Sequence, residues 1–361
     1  MGLKLAVIPW IEGCLQDKMF ITEDNNVNFD CRNDPFVKMK NTFEKNGDSF
    51  HTIDLYENLN EVDYFLFFDL DWKWLDVVIR AGGESKMIYC NGEPPVVYPI
   101  NSPEGYKFLG KFFPYILTWN DDWIDGKQIF KRTVPYYFRE EFGNVKFEEK
   151  KLLTSISGNK KSDHPDELYS EREKAVTFFE TYYPEDFDFY GTGWEEGVHS
   201  SYRGRADKKS ETYHKYKFAI CFENMKNING YVTEKLFDCL TSGVVPVYWG
   251  AENIDSYVPK ECFVDYRKFS SLEELANYLF NVTEEEYQEY LFSAKKFLHS
   301  DMPKRFSGEE YARNIYEVTK LKKQFKISLI NKFYVKFILC KLWISKNIKQ
   351  RLKKIVLRNK E

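Results

Sequence analysis

Residues 216–250 read YKFAICFENMKNINGYVTEKLFDCLTSGVVPVYWG. An apolar and aromatic run at 218–222 has the length of a buried strand and ends at Glu223-Asn224. A polar loop with Gly230 follows, then a helical pattern from about 232 to 241, a stop at Gly243 and a second apolar run at 244–249. Strand, helix and strand in this compass make a βαβ unit, which builds a parallel sheet. Ligands of such sheets bind at the carboxyl ends of the strands, where a helix N-terminus offers free N–H groups to phosphate. With the helix starting at 232, Tyr231, Glu234 and Lys235 fall at i, i+3 and i+4 on one face of its first turn. A lysine there opposes the helix dipole unless an anion such as a diphosphate lies beside it. Spacing alone leaves equal room for an ordinary capped helix with Glu234 and Lys235 in solvent.

The same rhythm runs outward on both sides. Apolar runs at 5–10, 50–55, 63–70, 87–90 and 115–119 read as buried strands, and 74–81 as a helix between two of them. The polar stretch 140–151 reads as a linker. Beyond it come a strand at 152–156, a helix at 168–182 and a strand at 187–190 that runs into Gly191-Thr192-Gly193. Helices at 272–280 and 284–299 complete the pattern. The expectation is an α/β protein of two sandwiches in series, 1–145 and 150–318, with a separate tail at 320–361.

The formal net charge of −4 conceals a division. Residues 320–361 hold fourteen Lys and Arg against one acid, while the other 319 residues hold 38 bases and 55 acids. In the tail, Phe333, Phe337, Ile344, Ile348, Leu352 and Ile355 recur at near-helical spacing among Lys332, Lys336, Lys341, Lys346, Lys349 and Lys353. That is the pattern of a basic amphipathic helix lying on an anionic membrane surface, or of a solvated helix docked on the acidic body. The acidic body speaks against nucleic acid as a partner. Seven cysteines without C-x-x-C spacing imply neither a disulfide framework nor a zinc knuckle. The N-terminal stretch lacks the form of a signal peptide, and no apolar run reaches the ~18 residues of a membrane span. The expected location is cytoplasmic, peripheral on the inner face of the cell membrane.

Segment 216–250 resembles the donor-binding signature of the α-1,3/1,4-fucosyltransferase family. The match takes in Tyr216, Lys217, Phe218, Phe222, Glu223, Asn224, Tyr231, Val232, Thr233, Glu234, Lys235, Pro246 and Gly250. A match of this length is specific where a lone glycine motif is not. The resemblance implies the GT-B arrangement: two Rossmann-like domains facing across a cleft, the second binding GDP-fucose and the first presenting a glycan acceptor. By the family pattern, Tyr231, Glu234 and Lys235 contact the nucleotide-sugar, and Asn224 helps to bind phosphate. Lys235 would neutralise the diphosphate, and Glu234 would hold sugar hydroxyls and favour the cationic sugar. Arg172, on the helix at 168–182, matches the family's diphosphate-binding arginine, and Gly191 its glycine turn near the donor.

The strand at 87–90 ends in Asn91-Gly92-Glu93-Pro94-Pro95, which is similar to the family's N-x-E-(S/A)-P element with its general-base glutamate. Pro94 keeps Glu93 out of a helix, at a strand's carboxyl end and hence at the cleft. It also stands where the family has a small residue. Leu117-Thr118-Trp119-Asn120-Asp121-Asp122 resembles the family's L-T-Y-R-x-D-S-D stretch without its arginine, so acceptor contacts are free to differ. The implied activity is an inverting transfer of L-fucose from GDP-β-L-fucose to a hydroxyl of an N-acetylglucosamine-containing glycan, such as a lipopolysaccharide intermediate. The product is an α-1,3 or α-1,4 linkage, with Glu93 and Glu234 as the catalytic carboxylates. The alternatives are a transferase for another GDP-deoxysugar and a non-catalytic membrane-associated glycan-binding protein. Asp69-Leu70-Asp71 is a D-x-D element of the kind that holds Mg²⁺ or Mn²⁺ in other glycosyltransferases. Lys235, Arg172 and a helix terminus can take the place of a cation, so no metal or other cofactor is expected.

Overall fold

The computed structural model describes residues 2–23 and 30–358, with side chains as far as residue 345. The first unit consists of β1 (Lys4–Ile8), α1 (Asp34–Lys45), β2 (Ser49–Thr52), β3 (Tyr64–Phe68), α2 (Trp72–Arg80), β4 (Met87–Cys90), α3 (Pro103–Leu109), β5 (Tyr115–Thr118) and β6 (Ile129–Lys131). Its strands are all parallel, in the order β2-β1-β3-β4-β5-β6. Side chains alternate between two faces. Ala6, Ile8, Phe65, Phe67, Met87 and Tyr89 bury one; Leu5, Val7, Leu66, Phe68, Ile88 and Cys90 bury the other. Burial on both faces is why the strands read as unbroken apolar runs. Each Leu, Ile or Phe so buried stabilises the fold by about 1.5–3 kcal/mol.

Residues 133–146 cross as an irregular run, pinned by Glu141 N donating to Thr241 O at 2.8 Å. The second unit then builds β7 (Lys151–Ile156), α4 (Tyr169–Tyr182), β8 (Phe187–Tyr190), α5 (Lys209–Tyr213), β9 (Tyr216–Phe222), α6 (Glu234–Ser242), β10 (Val245–Trp249), β11 (Val264–Asp265), α7 (Leu272–Asn281) and α8 (Glu284–Leu298). These strands are also parallel, in the order β11-β10-β9-β7-β8. Two parallel sheets, each covered by helices, form the expected GT-B arrangement. Trp119 of the first unit packs with Met225, Ile228 and Tyr231 of the second in a small buried cluster between them.

The last two helices do not follow the expected division. α9 (Gly308–Thr319), which the sequence places with the second sandwich, crosses back to pack on α1. Its Tyr311, Ala312, Ile315 and Val318 share a core with Leu5 and Val7. Gly308 permits the approach, because a Cβ there would stand 1.9 Å from Pro35 O. α10 (Leu329–Arg358) sets Val335 and Leu339 into the core beside α2. Lys336 pairs with Asp76 at 2.7 Å, and Lys332 with Glu84. Ile330, Phe333, Phe337 and Trp343 stay exposed. Among the described residues no helix is long and apolar enough to cross a membrane. The side chains of Lys346, Ile348, Lys349, Leu352, Lys353 and Ile355 lie outside those described.

Candidate active site

Glu223 governs where α6 starts. Fully buried at the end of β9, it accepts from Thr233 N at 2.8 Å and from Thr233 Oγ1 at 2.7 Å. Thr233 is thereby held extended (φ −119°, ψ −178°) and caps the helix, its Oγ1 accepting from Lys235 N at 3.4 Å. The helix begins at Glu234 rather than 232, and Tyr231 lies in the loop before it. The expected face of Tyr231, Glu234 and Lys235 on one helical turn is therefore not formed. Tyr231 reaches the site by a different route. Gly230 (φ 82°) turns the loop so close to the first unit that a Cβ would meet Trp119 O at 2.2 Å. The Tyr231 ring then packs on Trp119 with centroids 4.7 Å apart, and its OH accepts from Asn224 Nδ2 at 3.3 Å.

Arg172 of α4 is only 5% exposed. Its Nε and Nη2 donate to Phe222 O at 3.1 and 2.6 Å, and Nη2 also donates to Asn224 Oδ1 at 3.1 Å. A cavity of about 270 Å³ opens at the carboxyl ends of β7 and β9, lined by Arg172, Asn224, Tyr231, Glu234 and Lys235. Glu93, from the first unit, lines it too. Six of the seven residues singled out from sequence thus meet in one place. Gly191 does not line the cavity. Its φ is 144°, and a Cβ would lie 1.9 Å from Ser157 O, so the glycine lets the end of β8 pack against the Ser157-Gly158 turn. That turn does line the cavity, with Lys160 and Lys209. Ser157 and Gly158 follow a strand's carboxyl end and were open to the rule that places ligand-binding residues there. Lys209 gave no such signal, because it arrives from α5 and pairs with Asp238 at 2.6 Å across the fold.

The charges inside are strongly biased. Burial works to raise the Glu234 carboxyl, but Lys235 and Lys209 outweigh it and bring it down to about 2. Lys235 is held above its ordinary value in turn: burial opposes its charge, and Glu234 and Glu223 more than offset that. Its Nζ lies 3.1 Å from Glu234 and 3.5 Å from Glu223. Glu93 behaves in the opposite way. Protein crowds it although solvent enters from the cleft, and this desolvation pushes its carboxyl up. Lys235 counteracts the rise, while Glu234 and Asp69 add to it.

The loop that carries Glu93 is tied at three points. Gly92 N donates to Asp69 Oδ1 at 3.0 Å, Trp119 Nε1 donates to Gly92 O at 3.1 Å, and Asn101 Nδ2 donates to Glu93 O at 2.7 Å. Asp69, itself at a φ of 67°, is thus an anchor for this loop. Asp71 caps α2 by accepting from Trp74 N at 2.9 Å. The two aspartates of the D-x-D element part to these separate tasks. Among the described residues, no group of three or more His, Cys, Asp or Glu side chains is placed to hold a metal ion.

Comparison with known proteins agrees with this geometry. Residues 148–326 match the sequence model of glycosyltransferase family 10 (fucosyltransferase), C-terminal part. An α-(1,4)-fucosyltransferase of Arabidopsis thaliana is 48% identical over 64 residues, 18% of this chain and 16% of that protein. The α-(1,3)-fucosyltransferase FucT of Helicobacter pylori is 37% identical over 71 residues, 20% of this chain and 15% of that protein. The aligned stretches thus span about a sixth of these relatives' length. In fold, the likeness is far wider. A crystal structure of an α1,3-fucosyltransferase superposes with a TM-score of 0.54 at 15% identity, covering 91% of this chain and 92% of that one. Residues 148–326 of this chain thus carry the C-terminal part of glycosyltransferase family 10, the fucosyltransferases.

Proposed function

We propose that this chain transfers L-fucose, with inversion, from GDP-β-L-fucose to a hydroxyl of an N-acetylglucosamine-containing glycan, giving an α-1,3 or α-1,4 linkage. The observation that carries the reading is a single cavity shared by Glu93 from one domain and Arg172, Glu234 and Lys235 from the other. The diphosphate lies against Lys235, Arg172 and the first turn of α6, where positive charge and free N–H groups converge. Glu93, its basicity raised by its surroundings, takes the proton of the acceptor hydroxyl as that oxygen attacks the anomeric carbon. The C–O bond to GDP breaks in the same displacement, and Lys235 and Arg172 absorb the charge that grows on the leaving phosphate. Glu234 stays ionised throughout and faces the oxocarbenium-like sugar. One displacement turns the β-linked donor into an α-fucoside. These fixed cations stand where a divalent ion would act, so no metal is required.

The exposed residues Ile330, Phe333, Phe337 and Trp343 on lysine-rich α10 suit the surface of an anionic bilayer, with the enzyme peripheral on the cytoplasmic leaflet. Calorimetry with GDP, GDP-fucose, GDP-mannose and UDP-galactose, without metal and then with Mn²⁺, tests the donor assignment. Binding of GDP and GDP-fucose but not UDP-galactose is expected without metal. No guanine-nucleotide binding by folded protein under either condition would overturn it. Binding only with Mn²⁺ would reject the metal-free reading.

A further inference from the structure

A second and larger cavity, about 570 Å³, adjoins the first and shares Glu93, Tyr231 and Glu234 with it. Its far wall is aromatic: Trp10, Phe36 and Phe68 pack on one another with centroids 5.2–6.3 Å apart. A wall of this kind takes the apolar face of a sugar ring. Beside it stands Arg132, which leaves the carboxyl end of β6 and is only 3% exposed. Of the other cations that line it, Arg32 is exposed and lies over the Trp10 ring, 5.6 Å from its centroid. Lys209 pairs with Asp30 and Asp238, and Lys208 and Arg139 both pair with Glu141.

Arg132 differs in being buried. Its Nη1 donates to Thr133 O at 2.9 Å, its Nε is buried with no hydrogen-bond partner, and among the described residues no carboxylate lies within ion-pairing distance. The Tyr311 ring lies 5.1 Å from its Cζ, and Asp69 acts on it from farther off. A guanidinium taken out of water without a carboxylate is costly, and its planar donors match a carboxylate or phosphate two bonds at a time. Arg132 does not line the diphosphate cavity, so the donor's own phosphates do not supply the missing anion.

We propose that Arg132 is the anion anchor of the acceptor subsite, and that the acceptor is an acidic glycan whose carboxylate or phosphate sits on Arg132 while a sugar ring lies on Trp10. The inference rests on the fucosyl-transfer reading above and names the class of its acceptor.

The test is a titration of GDP-loaded protein with three probes: glucuronosyl-β-1,3-N-acetylglucosamine, N-acetylglucosamine 6-phosphate and neutral N-acetyllactosamine. At least one acidic probe is expected to bind tenfold or more tightly than the neutral one, and which of the two does so separates a carboxylate from a phosphate acceptor. The advantage should shrink to within twofold in Arg132→Gln and return in part in Arg132→Lys, whose point charge lacks the two-pronged geometry. Thermal melting and GDP affinity of each variant report that it is folded. Acidic probes that bind no better than the neutral one, or an advantage that survives Arg132→Gln, would overturn the proposal. Failure of wild-type protein to take up GDP in the same titration would instead strike the donor reading.

Discussion

Glu93 and Glu234 face one cavity from opposite domains, and their surroundings drive them apart. Glu234 has a lysine on either side and stays ionised; Glu93 is crowded by protein and by two acids. Carboxylates separated in this way divide the work of a reaction, the raised one handling protons and the depressed one stabilising positive charge. Glu93→Gln should therefore lower turnover by about 10²–10⁴-fold while leaving the affinity for GDP within about twofold, as single-turnover assays and calorimetry would read. The sign with pH follows from the direction of the shift. A base must be ionised, so wild-type turnover should fall on acidification with an apparent pKa above 4.5, the usual value for glutamate. The native state holds that proton more tightly than the unfolded chain does, so the ionised carboxyl costs stability at neutral pH. Glu93→Gln should then melt no lower than wild type, and a lowered melting temperature would show that the carboxylate is structural instead.

At the scale of elements, the N-terminus of α6 depends on the end of one strand and the loop that follows it. Glu223 at the end of β9 fixes Thr233, Thr233 caps α6, and the cap sets Glu234 and Lys235 at the mouth of the cavity. Thr233→Ala removes the cap and takes the hydroxyl donor from a fully buried carboxylate. The two losses together predict a destabilisation of about 2–4 kcal/mol by urea denaturation. GDP affinity should fall by about tenfold as Lys235 loses its register. Thr233→Ser keeps the hydroxyl and should restore most of both. If Thr233→Ala binds GDP as wild type does, the cap contributes stability only and does not position the donor cations. In the linear chain this element is partly legible: the strand, the loop glycine and the helix stop at Gly243 all stand in the sequence. The start of α6 is not, because it is set by a carboxylate ten residues upstream whose burial depends on the sheet.

For the whole molecule, the two units are joined by more than their linker. Trp119 packs against Tyr231 across the cleft, and α9 returns from the second unit to complete the core of the first. α10 then docks on the first unit by one face and leaves the other bare. Deleting the tail from residue 325 would strip Phe325, Ile327 and Val335 from a core, and so confound stability with any loss of lipid binding. Replacing only exposed Ile330, Phe333, Phe337 and Trp343 by Gln avoids this. That variant should lose tenfold or more of its affinity for phosphatidylserine-containing vesicles while melting as wild type does and turning over a soluble acceptor at the same rate. Undiminished binding in a vesicle sedimentation assay would reject the bilayer as the tail's partner.

What the sequence determined by itself was local or periodic. Unbroken apolar runs specify parallel strands, because both faces of each sheet are covered, and segment 216–250 carries Asn224, Tyr231, Glu234 and Lys235 of the cavity within one strand–loop–helix unit. Glu93 was legible through its resemblance to the family's N-x-E-(S/A)-P element, which sets it just past a strand's carboxyl end. The tertiary structure decided what chain distance hides. β6 is three half-exposed residues at a sheet edge, α9 completes a core built on strands from the other end of the chain, and Gly191 packs against the Ser157-Gly158 turn without lining the cavity. Asp69, part of a D-x-D element from which no metal was expected, holds the loop of Glu93 because folding lays β3 beside β4. Arg132 gave no signal at all in one dimension. An arginine in a sequence is ordinarily solvated, and only the enclosure of its guanidinium without a counter-charge marks it as waiting for an anion.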